Sequence, residues 1–353
     1  MATVAEWMIY GATGYTGRLV ARLAVERGER PILAGRDPAA VAALAHELGL
    51  DYGVVDLTDP AGLRATLASV AAVAHCAGPY HTTAEPMVDA CLATGTHYLD
   101  ITGELPVFEA IFARHDEAVA AGVVLLPGAG FDVVPTDCLA ALLAAELPAA
   151  VSLELAFRAP GGMSPGTAKT GLSVTARGGL RRVGGELRPT PFGQPSRLVP
   201  FPSGERRVGS VPWGDLVTAY RSTGIGDITV YTRVPVRGRV GRLRAAAVQR
   251  LLRYAVIRRY AARMISRRMA GPSSQTRAAT GVEVWGEVRD ADGNARTGTL
   301  TGPNGYDLTA DAVIRATARV LAGTVAAGAH TPATALGADF VRELSDVSVS
   351  CCS

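Results

Sequence analysis

Eleven residues near the start of the chain, Trp7 to Gly17 (Trp-Met-Ile-Tyr-Gly-Ala-Thr-Gly-Tyr-Thr-Gly), limit the possible folds more than any other stretch. Trp7–Tyr10 is a short apolar run, as a strand buried on both faces requires. It stops at Gly11, and Leu19, Val20, Leu23 and Ala24 then recur at helical spacing. Between strand and helix, Gly11, Gly14 and Gly17 make the pattern G-x-x-G-x-x-G. Gly11 permits the tight turn, and Gly14 lets backbone approach a pyrophosphate with no Cβ in the way. Gly17 lets the helix pack close to the strand, and the helix opens with its N–H groups aimed at the phosphates. With 40 glycines in 353 residues the spacing alone recurs by chance. The legible strand before it and helix after it turn the pattern into a dinucleotide-binding signal. Thr13, Tyr15 and Thr16 fall inside the same turn and count as cofactor-side residues.

The chain then alternates regularly. Pro31–Arg36 reads as a second strand, and its end is where such a fold meets the adenosine ribose. An acidic residue there selects NAD, whereas an arginine accommodates the 2′-phosphate of NADP. This chain has Gly35 and Arg36, and a planar guanidinium suits a phosphate, so NADPH is the expected cofactor. The competing reading is a solvated arginine ahead of Asp37-Pro38, which opens the helix Ala39–Leu48. Tyr52–Val55 is a third strand, ending in Asp56-Leu57, placed to bracket adenine. After the helix start Asp59-Pro60 comes a fourth strand, Val70–Cys76. It runs into Cys76-Ala77-Gly78-Pro79, expected to flank the nicotinamide ribose. Pro86–Ala93 is helical, Thr96–Ile101 strand, Val107–Ala121 helical and Val123–Leu126 strand. This alternation predicts an α/β, Rossmann-type doubly wound parallel sheet.

Chain length favours two domains. Ala118–Phe131 is the longest uncharged stretch near a core strand, and it is too short and too Gly/Pro-broken to span a bilayer. The start of the chain goes directly into a strand, so no secretory signal is expected and the cytoplasm is the expected location. Cys76, Cys91, Cys138, Cys351 and Cys352 show no metal-ligand spacing, so no metal is expected. Cys351-Cys352 sit in a polar tail that reads as a mobile terminus. Net charge is +3, and Lys169 is the only lysine.

Five segments together carry a resemblance. They are Gly11–Gly17, Ala34–Arg36, Cys76–Tyr80, Thr96–Glu104 and Gly130–Asp137, with Gly328–Gly337 in support. The combination is similar to the saccharopine dehydrogenase-like oxidoreductases, nearest the bacterial trans-acting enoyl reductase branch. That resemblance implies NADPH-dependent reduction without flavin, on a dinucleotide fold with an inserted α+β substrate domain. Members act on imines of amino acids or on enoyl groups of polyketide-derived lipids, so the resemblance leaves the substrate open.

Residues 150–310 differ in texture. Val151–Phe157 and Ile228–Val236 alternate as strands, and Pro165–Ala176 looks helical. A Gly/Pro/Arg-rich stretch to Val211 reads as short strands and turns, and Gly281–Val288 with Arg296–Thr301 as a hairpin around Asp292-Gly293. This predicts a mainly antiparallel α+β substrate domain over 134–309. A dinucleotide domain occupies 1–133, and 310–353 returns to it through helices Ala310–Leu321 and Ala333–Leu344.

Candidate chemistry follows from position. Tyr80 stands at the end of the fourth strand, where a phenol can donate a proton to a reduced carbon or nitrogen, or simply pack. His81 lies beside it with less support. Tyr98, Asp100 and Glu104 mark the next loop, where capping is favoured over substrate contact. Asp132 follows a Gly-rich strand end, while Asp137 suits the positive end of a helix. Lys169, in Ser164-Pro-Gly-Thr-Ala-Lys-Thr, can protonate an imine or enolate, hold an acidic substrate, or be one exposed helical lysine. Tyr80, Asp132 and Lys169 are the catalytic candidates. The expected activity is reduction of a C=C bond in a polyketide- or lipid-derived substrate, free or carrier-bound. An imine reductase and a non-catalytic NADP-binding scaffold at a membrane are the alternatives.

One stretch is absorbed by none of this. Arg237–Arg268 holds eleven arginines and no acidic residue. Leu243, Ala247, Leu251, Tyr254, Ala261, Ile265 and Met269 form one helical stripe, with Arg242, Arg253, Arg263 and Arg267 roughly opposite and Arg258 on the stripe. Such a face is a solvated surface, a peripheral anchor on an anionic membrane, or a guide for an acidic acyl carrier protein. Nucleic acid is not expected, since Tyr254 and Tyr260 alone offer little stacking. A homodimer is left open.

Overall fold

The computed structural model describes residues 7–234, 247, 250–252 and 254–352. The chain divides into two compact units, residues 1–134 with 306–337 and residues 135–305 with 338–353.

The first unit alternates strand and helix: β1 (Trp7–Tyr10), α1 (Tyr15–Glu26), β2 (Ile32–Gly35), α2 (Pro38–Leu48), β3 (Tyr52–Val54), α3 (Pro60–Leu67), β4 (Ala72–His75), α4 (Tyr80–Thr94), β5 (His97–Asp100), α5 (Leu105–Phe112), α6 (His115–Ala121) and β6 (Val124–Leu126). Helix α7 (Val134–Glu146) leads into the second unit. There follow β7 (Ala150–Arg158), α8 (Pro165–Arg177), β8 (Gly179–Val183), β9 (Glu186–Thr190), β10 (Ser196–Phe201), β11 (Gly204–Ser210), α9 (Asp215–Thr223), β12 (Asp227–Thr232), α10 (Ala255–Arg268), α11 (Ser274–Ala278), β13 (Val282–Asp290) and β14 (Ala295–Gly302). Helix α12 (Gly305–Leu321), β15 (Gly328–Ala329) and α13 (Pro332–Leu336) complete the first unit. A 3-10 turn, Ala338–Glu343, and β16 (Ser348–Cys352) complete the second.

Seven strands in the order β15-β6-β5-β4-β1-β2-β3 form the first sheet, and every pairing is parallel. Strands β1, β4 and β6 are buried along their whole length, as a sheet covered by helices on both faces demands. The order reverses between β1 and β4, and there the carboxyl ends of the strands leave a crevice. Asp37 and Asp59 cap α2 and α3, accepting from Ala40 N and Gly62 N at 3.1 and 3.0 Å, each followed by proline. Helices α1 and α4, on either side of the reversal, begin at Gly14 and Pro79 with no side-chain cap.

The second sheet runs β10-β11-β12-β7-β13-β14-β16, with the β8–β9 hairpin attached to β12. Only β7–β12 is a parallel pair, so the sheet is mainly antiparallel as expected. Ala156, Val199, Phe201, Val208, Tyr231 and Trp285 pack as one apolar cluster. Helix α7 presses close to β13 and β14. A Cβ on Gly286 or Gly298 would fall 2.9 Å from Leu143 or 3.0 Å from Leu139.

Several expected boundaries move. Helix α4 starts six residues before Pro86 and carries that proline inside, because buried Ala84, Met87, Val88 and Cys91 hold the helix in place. The expected helix Val107–Ala121 is two, α5 and α6, separated at Arg114, which pairs with Asp89 and Glu117 instead. Helix α9 was not anticipated. Strand β12 ends at Thr232, and Val236 lies outside the described residues. The expected helix Ala333–Leu344 breaks at Gly337, whose φ of +87° is left-handed. The tail 338–353 belongs to the second unit rather than the first, because β16 pairs with β14 from Thr301↔Ser348 to Thr297↔Cys352. Cys351 and Cys352 therefore sit in a strand, not in a mobile terminus. Among the described residues no helix is long and apolar enough to cross a membrane.

Candidate functional site

The β1–α1 turn folds back onto the start of the β4–α4 loop. Gly11 has φ +80°, and a Cβ there would sit 2.8 Å from the backbone nitrogen of Ala77. A Cβ on Gly17 would lie 2.3 Å from the Gly11 carbonyl oxygen, so the close helix–strand approach needs glycine. Gly14, exposed at the α1 N-cap, makes its own turn bond to Gly11 O at 3.0 Å. Gly11 N and Ala12 N both donate to Ala34 O, and Cys76 N donates to Tyr10 O. These bonds draw Gly11–Gly17, Gly35-Arg36 and Cys76–Pro79 onto one carboxyl edge of the sheet.

At the adenosine end, the Tyr10 phenol donates to Val55 O at 3.1 Å, and burial pushes its pKa up to about 12, with the Asp56 carboxylate adding to the rise. Arg36 is exposed, and its positive charge acts on both Tyr10 and Asp56. Asp56 accepts from Thr58 N and Thr58 Oγ1 at 2.9 and 2.7 Å, which hold its carboxyl below the usual range. Leu57 is half-buried next to it.

At the other end a buried polar cluster joins β4 to β5. Asp100 accepts from Tyr98 Oη, Thr102 N and Gly128 N at 2.6, 2.9 and 2.8 Å, so it fixes the loop that carries Glu104. Burial pushes its carboxyl up to about 6. Glu104, 4 % exposed, accepts from Tyr80 N at 2.9 Å through Oε1 and from His81 Nδ1 at 2.7 Å through Oε2. The carboxylate thus meets the positive end of α4 and orients an imidazole whose side chain is 40 % exposed. Asp132 lies against the same loop. A Cβ on Gly103 would be 2.9 Å from Asp132 Oδ2, and burial pushes the Asp132 carboxyl up to about 6.

Residues 7–126 match the family model of the saccharopine dehydrogenase NADP-binding domain. The NADP-binding domain is 37% identical over 139 residues to a putative trans-acting enoyl reductase of Mycobacterium tuberculosis, and 29% identical over 150 residues to a saccharopine dehydrogenase-like oxidoreductase of Bos taurus. Each match covers 37% of this chain but only 33% and 35% of the relative's length. A solved saccharopine dehydrogenase (L-Glu forming) of Saccharomyces cerevisiae matches in fold over 99% of this chain and 100% of its own, with TM-score 0.62 and 14% identity.

The residues of the NADP-binding domain fit a dinucleotide. An uncapped helix start with a bare glycine at its cap faces the crevice, and an exposed arginine ends β2. The catalytic candidates divide. Tyr80 is buried, and its hydroxyl donates inward to His75 O at 3.2 Å while burial holds its pKa far above the ordinary value. That geometry makes the phenol a support for the β4 end rather than a proton donor. Asp132 shares the β4–β5 cluster. Lys169 lies half-buried on α8, in the other unit. From the sequence His81 had less support than Tyr80, and for Glu104 capping was favoured over substrate contact; the structure pairs the two side chains. The available signal was an imidazole and a carboxylate at the carboxyl ends of two consecutive parallel strands.

Proposed function

We propose that this protein is an NADPH-dependent reductase acting on the C=C bond of a polyketide- or lipid-derived enoyl substrate. The observation that carries the reading is the His81–Glu104 pair on the carboxyl edge that holds the glycine turn and Arg36. NADPH, when bound, supplies a hydride. The chain's own residues position that group and deliver the proton. Gly14 and the α1 amides take the pyrophosphate, Arg36 the 2′-phosphate, and Cys76–Pro79 line the nicotinamide side. Glu104 keeps the His81 Nδ1–H pointed inward, which leaves Nε2 at the surface as the proton-donating atom. A protonated imidazole held there also stabilises negative charge developing on a thioester oxygen or α-carbon. Asp132, with its carboxyl raised to about 6, adds a second proton-holding group to the same pocket wall. Identity to trans-acting enoyl reductases supports a C=C acceptor over C=N.

The test is NADPH oxidation with enoyl thioesters and cyclic imines side by side. Turnover of the enoyl set is expected. His81→Gln should lower kcat by about 10²–10⁴-fold while NADPH affinity stays within a few fold. Glu104→Gln should lower kcat with NADPH affinity little changed, because an amide fixes the His81 ring less firmly than a carboxylate does. Turnover of imines alone would overturn the substrate class, and an unaffected His81→Gln enzyme would overturn the proton donor.

A further inference from the structure

Helix α10 rests on α8. Its half-covered side chains are Arg258, Ala261, Ala262, Met264 and Ile265, and Arg258 Nη1 donates to Leu252 O at 2.7 Å. Arg258 thus falls on the inner stripe, as expected, and reaches back to a carbonyl. Leu243, Arg242 and Arg253 lie outside the described residues. The outer face reverses the usual order of an amphipathic helix. Val256 is 75% exposed and Tyr260 67%, and both lie among exposed Arg259, Arg263 and Arg267. Val256, Arg259, Tyr260 and Arg263 line one shallow depression. In the turn just before the helix, Tyr254 is 61% exposed and Leu251 53%. No acidic residue occurs between Asp227 and Glu283.

We infer that this face docks on a bilayer containing anionic phospholipid. The helix would lie in the interface plane, with Val256 and Tyr260 at the acyl boundary and the three arginines at lipid phosphates. Two features favour lipid over an acidic protein. Arginines alone suffice to attract an acidic carrier, which leaves a valine and two tyrosines projecting with no purpose. A bilayer interface takes both, since aliphatic side chains and tyrosine rings settle at headgroup level while cations meet the phosphates. The charge sits within one helix, so attraction acts at close range and weakens with salt, over about 10 Å at 0.1 M.

The experiment is flotation of the full chain with phosphatidylcholine vesicles, with and without phosphatidylglycerol. Binding is expected only to vesicles containing phosphatidylglycerol, and it should fall as salt is added. Combining Arg259→Glu, Arg263→Glu and Arg267→Glu should weaken partition by at least about a hundredfold. Val256→Ser with Tyr260→Ser should weaken it by about tenfold or more while leaving every charge in place. All five positions are exposed, and unchanged far-ultraviolet dichroism checks the fold. Tyr260→Trp provides a readout that needs no loss of binding, because its emission should shift to the blue on anionic vesicles. Three results would overturn the inference: no binding to anionic vesicles, full binding by the Val256/Tyr260 variant, or capture of an acidic acyl carrier protein in place of lipid.

Discussion

Arg36 is exposed at the end of β2, one residue past the strand and within electrostatic reach of Asp56. The position matters more than the residue type, since a solvated arginine elsewhere would select nothing. Asp37 is already committed to Ala40 N as the cap of α2, so it does not compete for a ribose hydroxyl. On the proposed reading, removing the guanidinium would delete a charge-assisted contact to the 2′-phosphate and nothing that NADH uses. Arg36→Ala is expected to weaken NADPH binding by about ten- to a hundredfold, from a loss of about 1.5–3 kcal/mol, with NADH little changed. Titration of both cofactors checks this, and equal weakening would remove Arg36 from the 2′-phosphate. Tyr80 teaches the opposite lesson. Its place in the sequence suggested chemistry, but which way a phenol points is settled by packing around His75, which no spacing rule contains.

Strand β4 shows how packing at the element level sets titration. His75, at its end, is fully buried among the rings of Tyr10, Tyr80 and Tyr98. Thr83 Oγ1 donates to Ala77 O at 2.7 Å, so it accepts from His75 Nε2 at 3.1 Å, and Nδ1 is left without a partner. Burial pushes the imidazole pKa down to about 3. Between about pH 3 and 6.5 the unfolded chain holds a proton that the folded one does not, so stability falls as pH drops through that window, by up to several kcal/mol. Asp100 and Asp132, raised to about 6, act in the opposite sense between about pH 4 and 6, because the folded state holds their protons. His75→Phe keeps a ring against Tyr80 and removes the buried Nδ1. Urea midpoints of His75→Phe relative to wild type should then rise as pH falls from 7 to 4, and a difference that does not change with pH would count against this account. Strands β1 to β6 were legible because each is a short run ended by glycine or a helix signal, whereas the two-residue β15 was not. The dinucleotide turn was legible because steric need writes itself as glycine. Helix α9 and β16 were not. Asp215, Thr218 and Ser350 interrupt their apolar patterns, and tertiary pairing holds both segments in place. The His81–Glu104 pair was equally hidden, because its partners are joined across a sheet edge and not along the chain.

For the molecule as a whole, the second unit is inserted between residues 134 and 306 of the first, and the chain visits each unit twice. A chain ended after Gly337 keeps all of the first unit but removes buried Phe340 and Val341 and the strand paired with β14. Such a chain is expected to bind NADPH within a few fold of wild type, while the emission of Trp213 and Trp285 shows the second unit unfolding at lower urea. Loss of NADPH binding together with the second unit would mean that the two fold as one. The interleaving also has a consequence for synthesis. A ribosome delivers residues in order, so the free edge of β6 stays open from Leu126 until Gly328 and Ala329 emerge. The edge of β14 likewise waits for Ser348–Cys352. Until those later strands emerge each sheet lacks an edge strand, and the growing chain carries an unpaired edge at β6 and then at β14.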